Sequence, residues 1–397
     1  MLIGIIGKAN VGKSTFFKAL TLANVLIANY PFATIEPNRG MAFVKVNCVC
    51  NEFNKQCNPR TGYCTGDKRY VPVEIIDVAG LVPGAHEGKG KGNQFLDDLR
   101  QADAFLHVVD ISGSANEKGE PCNPGSYDPA KDIEFLEIEL DMWILGILKK
   151  GWDRLVRQLQ QEHENTIRAI TKQLSGLNVT ETIVKDAIKK IGMNAEKPSE
   201  WTGEQLKKLA QIIRKETKPM LIVANKIDIQ GAKENYERCK KMFPEYTIIP
   251  ASAESELALK EAAQHNLIEY HSGENTFKII GELTDKQKNA LEYIQKNVLD
   301  IWQGTGAQEA TNSAVFDLLK YIAVFPGSAN KLGDSKGNIL PDCFLLPGGS
   351  TALDFANHIH TDLGKNFIAA IDVRTKRKIG RETQLKNRDV IEVLVSK

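Results

Sequence analysis

The sequence predicts an α/β fold: a mostly parallel sheet, interrupted by a helical insertion and followed by a strand-and-turn tail. Three observations predict it. Short apolar runs at 2–6 (LIGII), 71–76 (VPVEII), 104–109 (AFLHVV), 219–224 (PMLIVA) and 246–251 (YTIIPA) end in polar or glycine-rich loops. Continuous apolar runs of this kind are strands buried on both faces. Helical stretches such as 13–22 and 93–101 fall between several of them, which is the alternation of a parallel sheet. From about 130 the period changes, with apolar residues at helical spacing for some forty residues.

Taken in chain order, the first run opens on "GKANVGKST", Gly7 to Thr15, which fits G-x-x-x-x-G-K-[ST] between a strand and a helix. Its glycines let backbone N–H groups turn inward around a phosphate, helped by the helix N-terminus. Gly7, Asn10, Val11, Gly12 and Thr15 are expected to line the nucleotide, with Lys13 on the β- and γ-phosphates and the Ser14 hydroxyl on Mg²⁺. The run at 41–46 (MAFVKV) is more amphipathic. The 71–76 strand delivers Asp77 and then Gly80 in "DVAG". Such an aspartate holds the Mg²⁺ shell through water, and the Gly80 N–H senses the γ-phosphate. Leu81 follows, where a polar side chain to orient water would be expected.

The insertion 130–218 contains "DIEFLEIELDMWILGILKKGWDRLVRQLQQEHENTIRAITKQL" and two further helical stretches, 180–191 and 202–216. Thr202 and Gln205 offer a capping box for the last. The 219–224 strand closes on "NKID", Asn225 to Asp228. The Asp228 carboxylate suits the N1–H and exocyclic amine of guanine, an edge on which adenine has neither donor. Asn225 is expected to brace loops and touch the base, with the Lys226 stem over it. "SAE" after the next strand places Ser252 and Ala253 for a backbone contact to guanine O6. Residues 256–320 are mostly helical, and the tail from about 322 returns to strand and turn signals. The expected domains are 1–129 with 219–320, the inserted 130–218, and 321–397. In this order the motifs imply a guanine-nucleotide switch enzyme.

Composition sets the outer bounds. With 397 residues, 42% hydrophobic and 25% charged, the chain suits a globular protein of two or three domains. "MLIGIIGKANVGK" meets glycine and lysine too early for a signal peptide, and no run approaches the ~20 apolar residues of a membrane span. The expected compartment is the cytoplasm. Net charge is +1, but 149–218 holds 15 Lys and Arg against 9 Asp and Glu, and 321–397 holds 11 against 8. These basic segments read equally as contacts for a polyanion or as solvated faces. Four of the seven cysteines, Cys48, Cys50, Cys57 and Cys64, fall in "CVCNEFNKQCNPRTGYC", a loop with little apolar content of its own. Tetrahedral Zn²⁺, two disulfides and four free thiols are the three readings of this pattern.

"NYPFATIEPNRG" (29–40), "DVAGLVPGAHEGKGKGNQFL" (77–96) and "LLPGGSTALDFANHIHTDLGKNF" (345–367) together resemble the Obg-like GTPases, in the archaeal YchF-related branch. The resemblance runs over essentially the whole chain. It implies a P-loop GTPase domain with a helical or coiled-coil insertion and a C-terminal TGS domain of β-grasp fold. It makes Thr34 the first-switch threonine, on Mg²⁺ and the γ-phosphate, and places the chain with GTPases that carry a hydrophobic residue at Leu81. Slow intrinsic turnover follows. Asn10 stands where potassium-activated relatives place a K⁺ ligand; a loop-stabilising Asn without an ion is the alternative. His86 is a weaker candidate for ordering water. YchF proteins carry an altered base motif and accept ATP, whereas NKID is intact here, so guanine preference is expected. "NRD" (387–389) departs from the Gly-Asp common in TGS domains. Association with the ribosome or other RNA is the implied role. An ATPase of the YchF type and a nucleotide-gated RNA-binding module without turnover are the rivals.

Overall fold

The computed structural model describes residues 1–22, 38–78, 80, 100–162, 165–329, 332–334 and 336–396. Two compact units divide the chain: one of residues 1–19 and 75–310, the other of 20–74 and 311–397. The first unit holds β1 (Leu2–Ile6), β5 (Ala104–Asp110), β6 (Met220–Asn225) and β7 (Ile248–Pro250), and the second holds β2 (Arg39–Asn47) and β3 (Tyr63–Thr65). β4 (Lys68–Asp77) runs through the boundary at residues 74 and 75, with β3 paired to it in the second unit.

In the first unit, β1, β5, β6 and β7 pair in parallel. All residues of β1, β5 and β6 are buried, as their uninterrupted apolar sequences require. Helix α1 (Lys13–Thr21) follows β1 directly. The insertion begins with α2 (Ala130–Lys149), α3 (Trp152–Glu162) and α4 (Thr166–Gln173). The forty-residue helical spacing is therefore not one helix. Gly151 adopts φ +76° and breaks it after α2, and Asn165 caps α4 by accepting from the Ile167 and Arg168 amides. Next come α5 (Glu181–Ile191) and α6 (Gly203–Thr217), the latter with the Thr202–Gln205 capping box formed on both sides. Trp143, Leu148, Leu209 and Ile213 from these helices share one apolar core with Leu2, Ile6 and Phe105 of the sheet. The insertion thus packs on the sheet instead of standing apart. α7 (Ala232–Met242) and α8 (Ala253–Gln264) flank β7. Beyond them, a short hairpin of β8 (Ile268–Glu269) and β9 (Lys278–Ile279) interrupts the stretch read as helical, before α9 (Asp285–Ile294).

In the second unit, β10 (Tyr321–Pro326), β11 (Phe344–Pro347), β12 (Phe367–Asp372), β13 (Arg377–Ile379) and β14 (Val390–Val395) form a sheet of order β11-β10-β14-β12-β13. β10 and β14 pair in parallel at its centre, and the other pairs are antiparallel. Helix α10 (Ala352–Ile359), capped by Thr351, packs Phe355 and Ala356 against Val324, Phe367 and Ile391. A helix over a sheet with a central parallel pair is the β-grasp arrangement.

Candidate functional site

The site gathers at the C-terminal ends of β4, β1, β5 and β6, where an open parallel sheet leaves its loops free for ligand. Gly7 and Gly12 are fixed there by space as well as by conformation. Gly7 has φ +147°, and a Cβ on it would lie 2.4 Å from the Val108 carbonyl. Gly12 has φ +97°, and its Cβ would lie 2.3 Å from Asn225 Nδ2. No L side chain fits either position.

Lys13, at the start of α1, is buried and donates from Nζ to the Lys8 carbonyl at 2.7 Å. Burial holds its amine below the usual lysine range, with Asp77 opposing that shift. The Gly80 backbone comes up beside it: a Cβ at Gly80 would stand 3.2 Å from Lys13 Nζ and 3.4 Å from the Ala9 amide. Ser14 Oγ donates to Asp77 Oδ2 at 2.9 Å. The second Asp77 oxygen, Oδ1, is buried and has no hydrogen-bond partner among the described residues. Burial raises its carboxyl, and the Ser14 hydrogen bond and Lys13 pull it back. An orphaned carboxylate oxygen beside a serine hydroxyl is a hard-oxygen pair that suits Mg²⁺. Ser14 and Asp77 would hold that ion, which neutralises phosphate charge when bound. Thr34, Leu81 and His86 lie outside the described residues.

The base-recognition loop is tied to the phosphate loop. Asn225 Nδ2 donates to the Val11 carbonyl at 2.8 Å, and its Oδ1 accepts from the Ala253 amide at 3.0 Å. One side chain thereby bridges three of the motifs. Ser252 caps α8 by accepting from the Ser255 amide, and the Ala253 amide is already committed to Asn225. Lys226 adopts φ +63° and sends Nζ to the Asn10 carbonyl at 3.2 Å and to Asp110 Oδ2 at 2.8 Å. Asp228 is half-buried, with its carbonyl held by the Tyr293 hydroxyl at 3.1 Å. Asn10, at φ +60°, donates from Nδ2 to the Gly119 carbonyl at 2.8 Å. Its side chain therefore holds a neighbouring loop through its nitrogen, and Oδ1 is its atom suited to a cation. Thr15 sits in the first turn of α1.

Sequence reasoning missed a second set of residues, on the loop after β5. Buried Asp110 accepts from the Ser112 and Ser114 hydroxyls at 2.5 and 2.8 Å as well as from Lys226. Gly119 rests on the phosphate loop, where a Cβ would fall 2.8 Å from the Ala9 carbonyl. Lys8, inside the phosphate motif, is buried against Asp132 at 2.8 Å and lies 4.0 Å over the Tyr127 ring. The Tyr127 hydroxyl also donates to Asp132 at 2.9 Å. Two signals were present: a lysine within the phosphate motif, and an aspartate closing the apolar run AFLHVVD.

Breaking a buried pair leaves a charge unpaired, whereas replacing both members by apolar groups is often nearly neutral. Asp132→Ala is therefore expected to cost roughly 3–5 kcal/mol of stability in denaturant unfolding. Lys8→Met with Asp132→Leu should recover most of it. A double variant no more stable than the single one would contradict a net electrostatic role for the pair.

A glycine-shaped loop opening a helix, a strand-end aspartate bound to its serine and an NKID loop tied to that first loop, all on neighbouring strand ends, are the motif set of one class of protein, the P-loop GTPases. Residues 2–172 match the family described as 50S ribosome-binding GTPase. Residues 223–328 match the "Obg-like GTPase YGR210-like, G4 motif-containing domain", and residues 335–395 the TGS domain. The chain is 50% identical to the GTP-binding protein MJ1332 of Methanocaldococcus jannaschii, over 99% of this chain and 98% of that protein. It is 32% identical to the ribosome-binding ATPase YchF of Bacillus subtilis, over 66% and 69% of the two. The crystal structure of a GTP-binding protein from Pyrococcus horikoshii OT3 shares its fold, at a TM-score of 0.80 and 37% identity over 100% of both chains. The chain belongs to the Obg-like, YchF-related family of GTP-binding proteins. No helix among the described residues is long and apolar enough to cross a membrane.

Proposed function

We propose that the chain is a Mg²⁺-dependent, GTP-hydrolysing switch that works with the ribosome in the cytoplasm. The observation that carries the reading is the intact NKID loop, locked by Asn225 to the phosphate loop on one side and to Ala253 on the other. That bracing fixes Asp228 relative to the phosphates, so its carboxylate can select the guanine edge. Lys13 stabilises charge on the β- and γ-phosphates and the Gly80 amide reads the γ-phosphate, while the metal would be held by Ser14 and Thr34 directly and by Asp77 through water. Ser252 and Ala253 supply the backbone contact to guanine O6, at the helix start that Asn225 Oδ1 holds through the Ala253 amide.

Hydrolysis through positioning and charge alone is slow where Leu81 replaces a water-orienting side chain. Release of several phosphates per chain from GTP tests the enzyme reading. A single stoichiometric release, or none, contradicts it. A K⁺ ion on Asn10 Oδ1 would supply part of the missing charge. On that basis turnover should rise when K⁺ replaces Na⁺, and Asn10→Ala should abolish the gain. Equal rates in the two salts would rule the ion out.

The ribosomal part rests on the ribosome-binding YchF relative and on the basic segments. In "RTKRK", Arg374 is engaged by Glu52, while Lys376 on the β12–β13 turn and Arg377 and Lys378 at the start of β13 are exposed. Phosphate contacts release counterions, so cosedimentation with ribosomes should fall steeply with salt. Absence of cosedimentation in every nucleotide state, or salt-independent binding, would count against it. A second reading, ATP hydrolysis, takes its support from the ATPase named in that same relative. The affinities for the two nucleotides decide between them.

A further inference from the structure

Cys48, Cys50, Cys57 and Cys64 come together although the chain between them is mostly loop. Their four sulfurs all lie within 4.8 Å of one another, and Cys48 and Cys57 stand 3.7 Å apart. Four sulfurs at Zn–S bond lengths around a tetrahedral zinc are about 3.8 Å apart. None of the four is paired in a disulfide. Three are buried and Cys64 is half-buried, so the centre is closed, as structural zinc sites are.

The neighbouring charge supports a metal independently of this spacing. Arg69 is fully buried, at 0% exposure, and no carboxylate pairs with it among the described residues. Its Nη1 lies 3.8 Å from Cys57 Sγ. An isolated buried guanidinium is costly, so an anion is expected beside it. Four neutral thiols or two disulfides supply none. Four thiolates around Zn²⁺ carry a net charge of −2, and Arg69 balances part of it. Partners of this kind orient and tune the ligands of a metal.

The same loop carries the contacts that hold the C-terminal module in the second unit. Arg69 donates to the Leu340 and Pro341 carbonyls at 3.1 and 3.0 Å. The Asn58 and Arg60 amides donate to the Ile339 and Pro341 carbonyls at 3.1 and 2.9 Å, and Arg60 pairs with Asp342. Glu52, in the turn that starts at Cys50, receives Arg374 at 2.7 Å and also Arg388. A loop with so little apolar content cannot hold these positions through a core of its own.

We infer that Cys48, Cys50, Cys57 and Cys64 bind one structural zinc ion, and that this centre clasps the C-terminal module to the β2–β4 segment. All-sulfur tetrahedral ligation selects a soft divalent ion, for which zinc is the fitting metal. The ion would take no part in nucleotide chemistry, so the proposal stands or falls separately from GTP hydrolysis.

The test is elemental analysis of the full chain, purified without a histidine tag, together with a thiol count after denaturation without reductant. About one equivalent of zinc is expected. Cys57→Ser should lower it severalfold, while Cys239→Ser, at a buried cysteine of α7, should leave it unchanged. If Cys57→Ser fails to fold, the wild-type metal content still decides. Metal below about a tenth of an equivalent with all seven thiols titrating overturns the site, as do four missing thiols or iron in place of zinc. Removing the zinc with a mercurial thiol reagent should speed hydrogen exchange at Leu340 and at Arg60. Unchanged exchange there would overturn the clasp.

Discussion

Asp228→Asn is expected to weaken GTP binding by on the order of 10²–10⁴-fold and to improve binding of xanthine nucleotides. The carboxylate accepts two N–H groups from guanine, and an asparagine amide presents one oxygen and a clashing pair of donors in its place. Xanthine carries a carbonyl where guanine has the amine, so the new N–H group finds an acceptor. Competition of GDP and xanthosine diphosphate against a fluorescent nucleotide measures both changes. Asn225→Ala serves as the contrast. It cuts the bridge between Val11 and Ala253, so it should weaken every nucleotide without redirecting the choice of base. A substitution at Asp228 that lowers GTP and xanthosine triphosphate affinity alike would mean the carboxylate only supports the fold.

Lys13→Ala is expected to reduce GTP turnover by on the order of 10²–10³-fold or more, the cost of removing one aimed donor from a charge-stabilising site. Lys13 is already positioned: its Nζ donates to the Lys8 carbonyl and stands beside Gly80. Lys13 is buried, and alanine removes its amine without adding bulk there. Single-turnover rates at saturating GTP separate lost chemistry from lost binding. Wild-type rates in Lys13→Ala would remove the phosphate loop from catalysis.

Much of this architecture was legible in the sequence because its strands are read by composition alone. LIGII, AFLHVV and PMLIVA are buried on both faces, and each appears within a residue of its expected bounds. The Thr202 capping box is equally local, and it forms. What depends on distant partners was less visible. The break at Gly151 is a matter of one left-handed residue inside a convincing helical period. The short β8–β9 hairpin sits in a stretch whose period reads as helix. Lys8 and Asp132 are 124 residues apart, and nothing in either neighbourhood announces the other. Asn10 offered a cation ligand by position, while the structure gives its nitrogen to Gly119. Thr34 and Leu81, which carry much of the switch argument, lie outside the described residues. The four cysteines show both sides: their number was plain, but their convergence beside a buried Arg69 needed the fold.

Guanine selectivity is the central claim, and relatives named for ATP make it a discriminating one. Its most direct test is equilibrium binding of GTP and of ATP to the same nucleotide-free preparation, with Mg²⁺ present. The account predicts that GTP binds at least about 100-fold more tightly, because only guanine satisfies the Asp228 carboxylate. Equal affinities, or a preference for ATP, would contradict it.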